Sequence, residues 1–230
     1  MIRKNIPNAI TCLNLLCGCM AIVFAYNHHL DYAAWLIGIA AIFDFLDGMA
    51  ARLLNVHSEI GKQLDSLADM VTFGVAPGAI LFMMIQSTLT LTNAYLVWVT
   101  LLIPVFSAIR LAKFNIDTRQ SDSFIGMPTP ANAMLIGSLP LIIKYHPDFS
   151  IVIYNTNSLI LLTVLMSLLL VAELPLFALK FKNFTFTDNK LRYVFLGSSV
   201  VLLILFHFIA IPIIVFLHII LSVINNYLTK

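Results

Sequence analysis

The sequence predicts an all-α protein, a polytopic integral membrane helical bundle of about eight transmembrane helices, in one domain over residues 1–230. Three observations carry that expectation. Sixty per cent of the residues are hydrophobic, a tenth are charged and the mean hydropathy is +0.97, which excludes an ordinary soluble domain. Apolar stretches of helical length recur at 8–26, 31–54, 66–87, 92–114, 129–145, 156–178, 191–206 and 209–227. With eight spans and the N-terminus inside, 12 of the 13 Lys and Arg residues fall on the cytoplasmic side and Lys144 alone falls outside.

In the first stretch, Arg3 and Lys4 precede an apolar run from Ala9 to Tyr26, in the manner of a signal peptide. No small-x-small cleavage site follows, Asn8, Thr11 and Asn14 punctuate the run at helical spacing, and Leu16 before Cys17 makes a poor lipoprotein site. The segment therefore reads as an uncleaved first span. Cys12, Cys17 and Cys19 are an odd cluster in one helix, which suits packing rather than a disulfide framework. The second span ends, and the third begins, in acidic residues. The fourth closes on Arg110, Lys113 and Asn115, before a short polar stretch at 115–126. Gly126, Pro128 and Pro130 make a turn into the fifth. In the sixth, Glu173 stands just before Pro175, near the cytoplasmic interface. The 37 residues from Tyr193 to Thr229 carry no charge. As one helix they would be about 55 Å long, nearly twice the hydrocarbon thickness, so the run should fold back near His207–Pro212, where proline interrupts the backbone ladder.

Function is concentrated between residues 44 and 69. Asp44, Asp47, Gly48, Ala51, Arg52, Gly61, Asp65 and Asp69 form the pattern D-x2-D-G-x2-A-R-x8-G-x3-D-x3-D. Each carboxylate at the bilayer centre costs roughly 2.5–3.5 kcal/mol, so four persist only if a cation binds them or the site is wet. Residues three and four apart share a helix face, so Asp44 and Asp47 point together, as do Asp65 and Asp69. Two antiparallel helices would set the four carboxylates opposite one another. Oxygen donors at that density suit Mg²⁺ or Mn²⁺, and four carboxylates can hold two such ions around a pyrophosphate. Gly48 and Gly61 let a substrate approach the backbone, and Arg52 offers a forked cation to phosphate. Taken singly, each aspartate could instead be a helix cap or a solvated interfacial group.

This spacing resembles the signature of the CDP-alcohol phosphatidyltransferases, membrane enzymes that displace CMP from a CDP-linked lipid with an alcohol. Further blocks are similar to the bacterial phosphatidylserine synthases of that family. These are Ile6-Pro7-Asn8 with Thr11, Asn14-Leu15 and Cys17-Gly18; Gln63 to Asp69; Phe73 to Pro77; Arg110 to Asn115; and Phe124 with Gly126 and Pro128 to Ala131. The resemblance implies a six-helix core with a C-terminal hairpin, and two Mg²⁺ or Mn²⁺ ions held by Asp44, Asp47, Asp65 and Asp69. Asp69 would also be the general base, although a metal-bound carboxylate is a poor base and could act mainly by orienting the acceptor hydroxyl. Asn8, Thr11, Asn14, Gly48, Arg52, Ser58 and Gly61 would contact the CDP-lipid. Arg110, Lys113, Asn115, Pro128 and Thr129 would line an acceptor pocket, the first three alternatively being a positive-inside anchor. His57, between the acidic pairs, is a further candidate for contact with substrate.

The resemblance further implies CDP-diacylglycerol and L-serine as substrates, phosphatidylserine and CMP as products, and membrane lipids as surroundings. Nucleic acid is not an expected partner, and a homodimer is. The implied location is the inner membrane, multi-pass, with the site facing the cytoplasm. Two alternatives stay open. One is the same chemistry on glycerol phosphate, inositol phosphate or choline. The other is an ion transporter with intramembrane carboxylates, for which the glycine and arginine spacing would have no use.

Overall fold

A computed structural model describes residues 2–56, 58–117, 123–179, 185–187 and 189–228. His57, Arg119, Lys180 and Lys182 lie outside them. Helix α1 (Ile2–Tyr26) and helix α2 (Leu30–Leu53) are joined by a tight turn in which His28 takes a positive φ of 62°. They pack closely on each other, and Ala21, Ala25, Ala33, Ala34 and Ala40 of the two helices are all buried, small side chains that let helix backbones approach in a membrane. On α1, Cys17 is buried, whereas Cys12 and Cys19 are exposed on the outward face.

The third helical stretch begins earlier than expected. Helix α3 (Glu59–Asp69) starts where the Ser58 hydroxyl accepts the Gly61 N–H, so Asp65 and Asp69 lie in its second and third turns. It runs through a π-helical turn, Met70–Val75, into helix α4 (Ala76–Gln86). Pro77 has no N–H to give the Phe73 carbonyl, and the ladder widens in the turn before it. The next stretch is 3₁₀-helical over Leu91–Leu101 and continues as helix α5 (Leu102–Ile116). Helix α6 (Thr129–Tyr145) is largely buried and packs on α2, α4 and the π turn.

Helix α7 (Ser150–Ile153) meets helix α8 (Thr156–Val171) at a bend of 73°. The span expected to reach residue 178 stops at Val171. Pro175 cannot extend a helix, and Pro175–Phe177 instead forms strand β2, antiparallel to strand β1 (Ser123–Ile125). Helices α9 (Lys190–Phe206) and α10 (Ala210–Leu228) follow. The rings of Phe195 and His218 lie 5.3 Å apart, although 23 residues of straight helix would separate them by about 35 Å. The uncharged run therefore folds back, at His207 with φ 48°.

Helical elements occupy all eight expected positions. Among the described residues, five helical stretches are long and apolar enough to cross a membrane, or six with the bent pair at 147–171. Helix α6, at 17 residues, is shorter than any of those five stretches. The expected count of eight includes α6 and both arms of the C-terminal hairpin.

Candidate active site

Asp44 and Asp47 project from the second half of α2, and Asp65 and Asp69 from α3. Carboxylate oxygens of Asp44, Asp47 and Asp65 all lie within 4.8 Å of one another. Asp69 stands beside this group, next to Asp44. The sequence treats the four as equivalent, whereas the structure separates a tight group of three from a fourth. Three negative charges at such distances repel strongly, and their donor set, all oxygen, fits a hard divalent cation.

Helix α1 supplies a polar ladder to this acidic face. Asn8, Thr11 and Asn14 are spaced by three residues and so share one side of the helix. Thr11 Oγ1 lies 2.6 Å from Asp47 Oδ2 and 3.0 Å from the Pro7 carbonyl. Asn14 is fully buried and its Nδ2 is 3.5 Å from Asp69 Oδ1. A side chain at Gly61 would place its Cβ 2.9 Å from Asn8 Oδ1, so that glycine permits the approach of α1 to α3. Asn8, Thr11, Asp47, Gly48, Ser58, Gly61 and Asp65 line one open cavity of about 200 Å³. Nothing lies within 4 Å of the Cβ position at Gly48, so its missing side chain leaves free space in that cavity.

Arg52 is exposed and folds back on its own helix, its Nε donating to the Gly48 carbonyl at 3.0 Å. Lys62 donates to the Asn115 carbonyl at 3.2 Å, and Asn115 Nδ2 donates to Ser66 Oγ at 2.8 Å. Asn115 therefore clasps α5 to α3, a structural task that the sequence did not disclose. Arg110 is the one buried cation among the described residues, and its charge acts on Asp69. Lys113 is exposed and shares a small cavity with Arg110 and Glu173. Pro128 precedes α6 and borders an apolar cavity against α9 and α10 rather than the acidic cluster. Thr129 is fully buried at the start of α6, with an unpaired hydroxyl.

Sequence reasoning passed over Lys62, Thr72, Ser107 and Asn132. Thr72, in the π turn, donates to the Asn14 carbonyl at 3.2 Å and fixes the ladder's inner end. Ser107 and Asn132 are fully buried, and each stands three residues from a named candidate, Arg110 or Thr129. That spacing inside an apolar helix was the available signal.

Known proteins with similar sequences include three named CDP-diacylglycerol–serine O-phosphatidyltransferase. That of Helicobacter pylori strain J99 is 42% identical over 143 residues, 61% of this chain and 59% of its own length. That of Bacillus subtilis strain 168 is 39% identical over 142 residues, 62% and 77% of the two chains. That of Methanocaldococcus jannaschii is 37% identical over 147 residues, 63% and 66%. The match thus spans about three-fifths of the Helicobacter protein. The family profile described as CDP-alcohol phosphatidyltransferase matches residues 4–224, nearly the whole chain. With that match and these relatives, the chain belongs to the CDP-alcohol phosphatidyltransferase family.

Proposed function

We propose that this protein transfers a phosphatidyl group from CDP-diacylglycerol to L-serine, giving phosphatidylserine and CMP. One observation carries the proposal: carboxylates of α2 and α3 converge beside an open cavity that the polar face of α1 also lines. The names of the relatives supply the acceptor.

Asp44, Asp47 and Asp65, with Asp69 beside them, are suited to hold two Mg²⁺ or Mn²⁺ ions. When bound, such ions would neutralise the pyrophosphate and the departing CMP. The protein's own groups do the rest. Gly48 leaves room for the diphosphate and Gly61 lets Asn8 close on the cavity; Asn8 and Thr11 address the nucleotide end, and Ser58 and Arg52 address the lipid phosphate. Arg52 must release Gly48 to do so, an exchange that exposure makes cheap. The serine hydroxyl attacks the lipid-linked phosphorus, the bond from that phosphorus to the CMP oxygen breaks, and CMP leaves with the electron pair. The hydroxyl proton passes to Asp69, oriented by Asn14. Standing outside the tight group of three favours Asp69 for that role, because a carboxylate free of full metal coordination is the better base.

In this reading the protein lies in an inner membrane with eight spans and the acidic site faces the cytoplasm. Lys144 supports that orientation: it pairs with Asp31 at 2.5 Å, some 16 residues or about 24 Å along α2 from Asp47, at the opposite end of the bundle. A homodimer completes the reading.

The test is CMP release from CDP-diacylglycerol by purified protein with each acceptor in turn. Serine should support release. Release with glycerol phosphate, inositol phosphate or choline, and none with serine, would replace the acceptor and keep the chemistry.

A further inference from the structure

Strand β2 has two edges. One pairs with β1, in the register Ser123 with Phe177, Phe124 with Leu176 and Ile125 with Pro175. The other meets α10 through backbone groups of Pro175 and Phe177, which stand two apart and so share an edge. The Phe177 carbonyl accepts from His218 Nε2 at 3.0 Å, and the Phe177 N–H donates to Ser222 Oγ at 3.3 Å. The Pro175 carbonyl accepts from Asn226 Nδ2 at 2.6 Å, and Pro175 has no N–H to place. His218, Ser222 and Asn226 are spaced by four and form one stripe on α10. Their side chains do for β2 what a third strand would. Open strand edges are not tolerated beside lipid, and a two-stranded ribbon is marginal by itself. The His218 ring also packs on the rings of Phe177 and Phe195, with centroids 4.5 and 5.3 Å away.

The ribbon also reaches toward the acidic site. Ile125, Leu170, Val171 and Glu173 help to wall the small cavity that holds Arg110, whose charge acts on Asp69. The Gly126 N–H donates to the Leu174 carbonyl and the Met127 N–H to the Leu169 carbonyl, both at 2.9 Å. Gly126 takes a φ of 75°, and a Cβ there would lie 2.7 Å from the Leu170 carbonyl oxygen, so the ribbon sits flush on the end of α8. Arg110 is buried, and a cation kept from water acts on a carboxylate several-fold more strongly than a solvated one. We propose that His218, Ser222 and Asn226 are positioning residues: through them the C-terminal hairpin latches the β1–β2 ribbon, and the latched ribbon shuts the Arg110 cavity from water. Unlatching admits water, screens Arg110 from Asp69 and slows turnover. The effect on rate rests on the reaction proposed above; the latch itself does not.

Its test uses the full-length protein in detergent. His218→Leu, Ser222→Ala and Asn226→Leu unlatch the ribbon, and Ser222→Ala, which removes one oxygen atom, carries the test should the larger changes fail to fold. His218→Gln is the rescue, since its amide N–H can still donate to the Phe177 carbonyl. Phe208→Ala is the control: Phe208 packs on Trp35 and Tyr145 at the opposite end of the hairpin, with centroids 5.6 and 5.2 Å away. Hydrogen–deuterium exchange over 123–127 and 175–179 reads the latch, and CMP release with whichever acceptor the wild type uses reads the rate. Unlatched variants should exchange about five-fold or more faster there, with 59–69 unchanged. Their kcat should fall about five-fold or more while the KM for CDP-diacylglycerol stays within about two-fold. His218→Gln should restore both, and Phe208→Ala should lower the thermal midpoint yet leave both at wild-type values. Unchanged exchange in the unlatched variants overturns the latch. Faster exchange with an unchanged kcat overturns its hold on the Arg110 cavity, as does an equal loss of kcat in Phe208→Ala. A wild type that releases CMP with another alcohol and not with serine overturns the substrate reading alone.

Discussion

Removing one carboxylate from the tight group should change stability in opposite directions with and without a divalent cation. Oxygens of Asp44, Asp47 and Asp65 lie within 4.8 Å, where two unit charges at an effective dielectric of about 20 repel by about 3.5 kcal/mol. Asp65→Asn deletes two of the three repulsions, a gross relief of about 7 kcal/mol. Side-chain relaxation and water entry in the metal-free protein absorb most of this, so a gain of about 1–2 kcal/mol is expected. For a chain of this size that is a rise of roughly 2–8 °C in the thermal midpoint. In wild type, a cation at a hundred-fold excess over its dissociation constant should add about 2.7 kcal/mol, and in the variant much less.

Fluorescence of Trp35 and Trp98 during heating in detergent, with chelator or with MnCl₂, reads both effects. The ordering expected is variant above wild type in chelator and wild type above variant in manganese. A wild-type midpoint indifferent to manganese, or an Asp65→Asn variant less stable than wild type in chelator, would refute the idea that these carboxylates are held together for a cation.

Other outcomes follow from the same geometry. Asp69→Asn should abolish CMP release, a loss of at least about 100-fold in kcat, while binding of CDP-diacylglycerol persists; near-normal turnover would remove Asp69 from proton transfer. Arg52→Ala should raise the KM for CDP-diacylglycerol about ten-fold or more and leave that for serine nearly constant, a pattern that reverses if Arg52 serves the acceptor. Arg119→Cys, in a background lacking Cys12, Cys17 and Cys19, should resist an impermeant thiol reagent on intact cells, and labelling from outside would invert the topology. Gly18→Ala should lower both activity and midpoint, because the new Cβ would lie 2.2 Å from Thr72 Oγ1 and 2.8 Å from its Cα; full activity in that variant would show that α1 has room to shift.

Much of the helical plan was legible because apolar length is a one-dimensional property and the bilayer enforces it. The turn at His207 was legible for the same reason, since 37 uncharged residues cannot stand upright in one bilayer. Pro175 shows the limit. A window of hydropathy runs across it to residue 178, but the backbone cannot, and only its pairing with 123–125 makes β2 a strand. The π turn at Met70–Val75 was likewise invisible, being a response of the ladder to Pro77. For the site, the aspartates and glycines were readable because their spacing carries the geometry. That Asn115 also clasps α5 to α3 was hidden, because its partner, Ser66, comes from another helix that only the fold brings near. The spacing of Asn132 from Thr129 was readable, but that both its amide atoms are buried without a partner could be known only from the fold.

The acidic pairs alone do not make a site; α1 does. Two helices carrying four carboxylates would splay apart through mutual repulsion unless something holds them together. One face of α1 answers at three levels. Asn8 meets Gly61 on α3, Thr11 bonds Asp47 on α2, and Asn14 reaches Asp69 on α3 while Thr72 holds its carbonyl. One turn further, Gly18 sits against Thr72 with no room for a methyl group. This close seat fixes the depth of α1, and depth decides which rung meets which carboxylate. A rise of 1.5 Å per residue means that a shift of one residue would turn every rung off the acidic face. The residues that neighbour the carboxylates and those that never touch them are therefore one device, and its register is set where α1 carries no side chain at all.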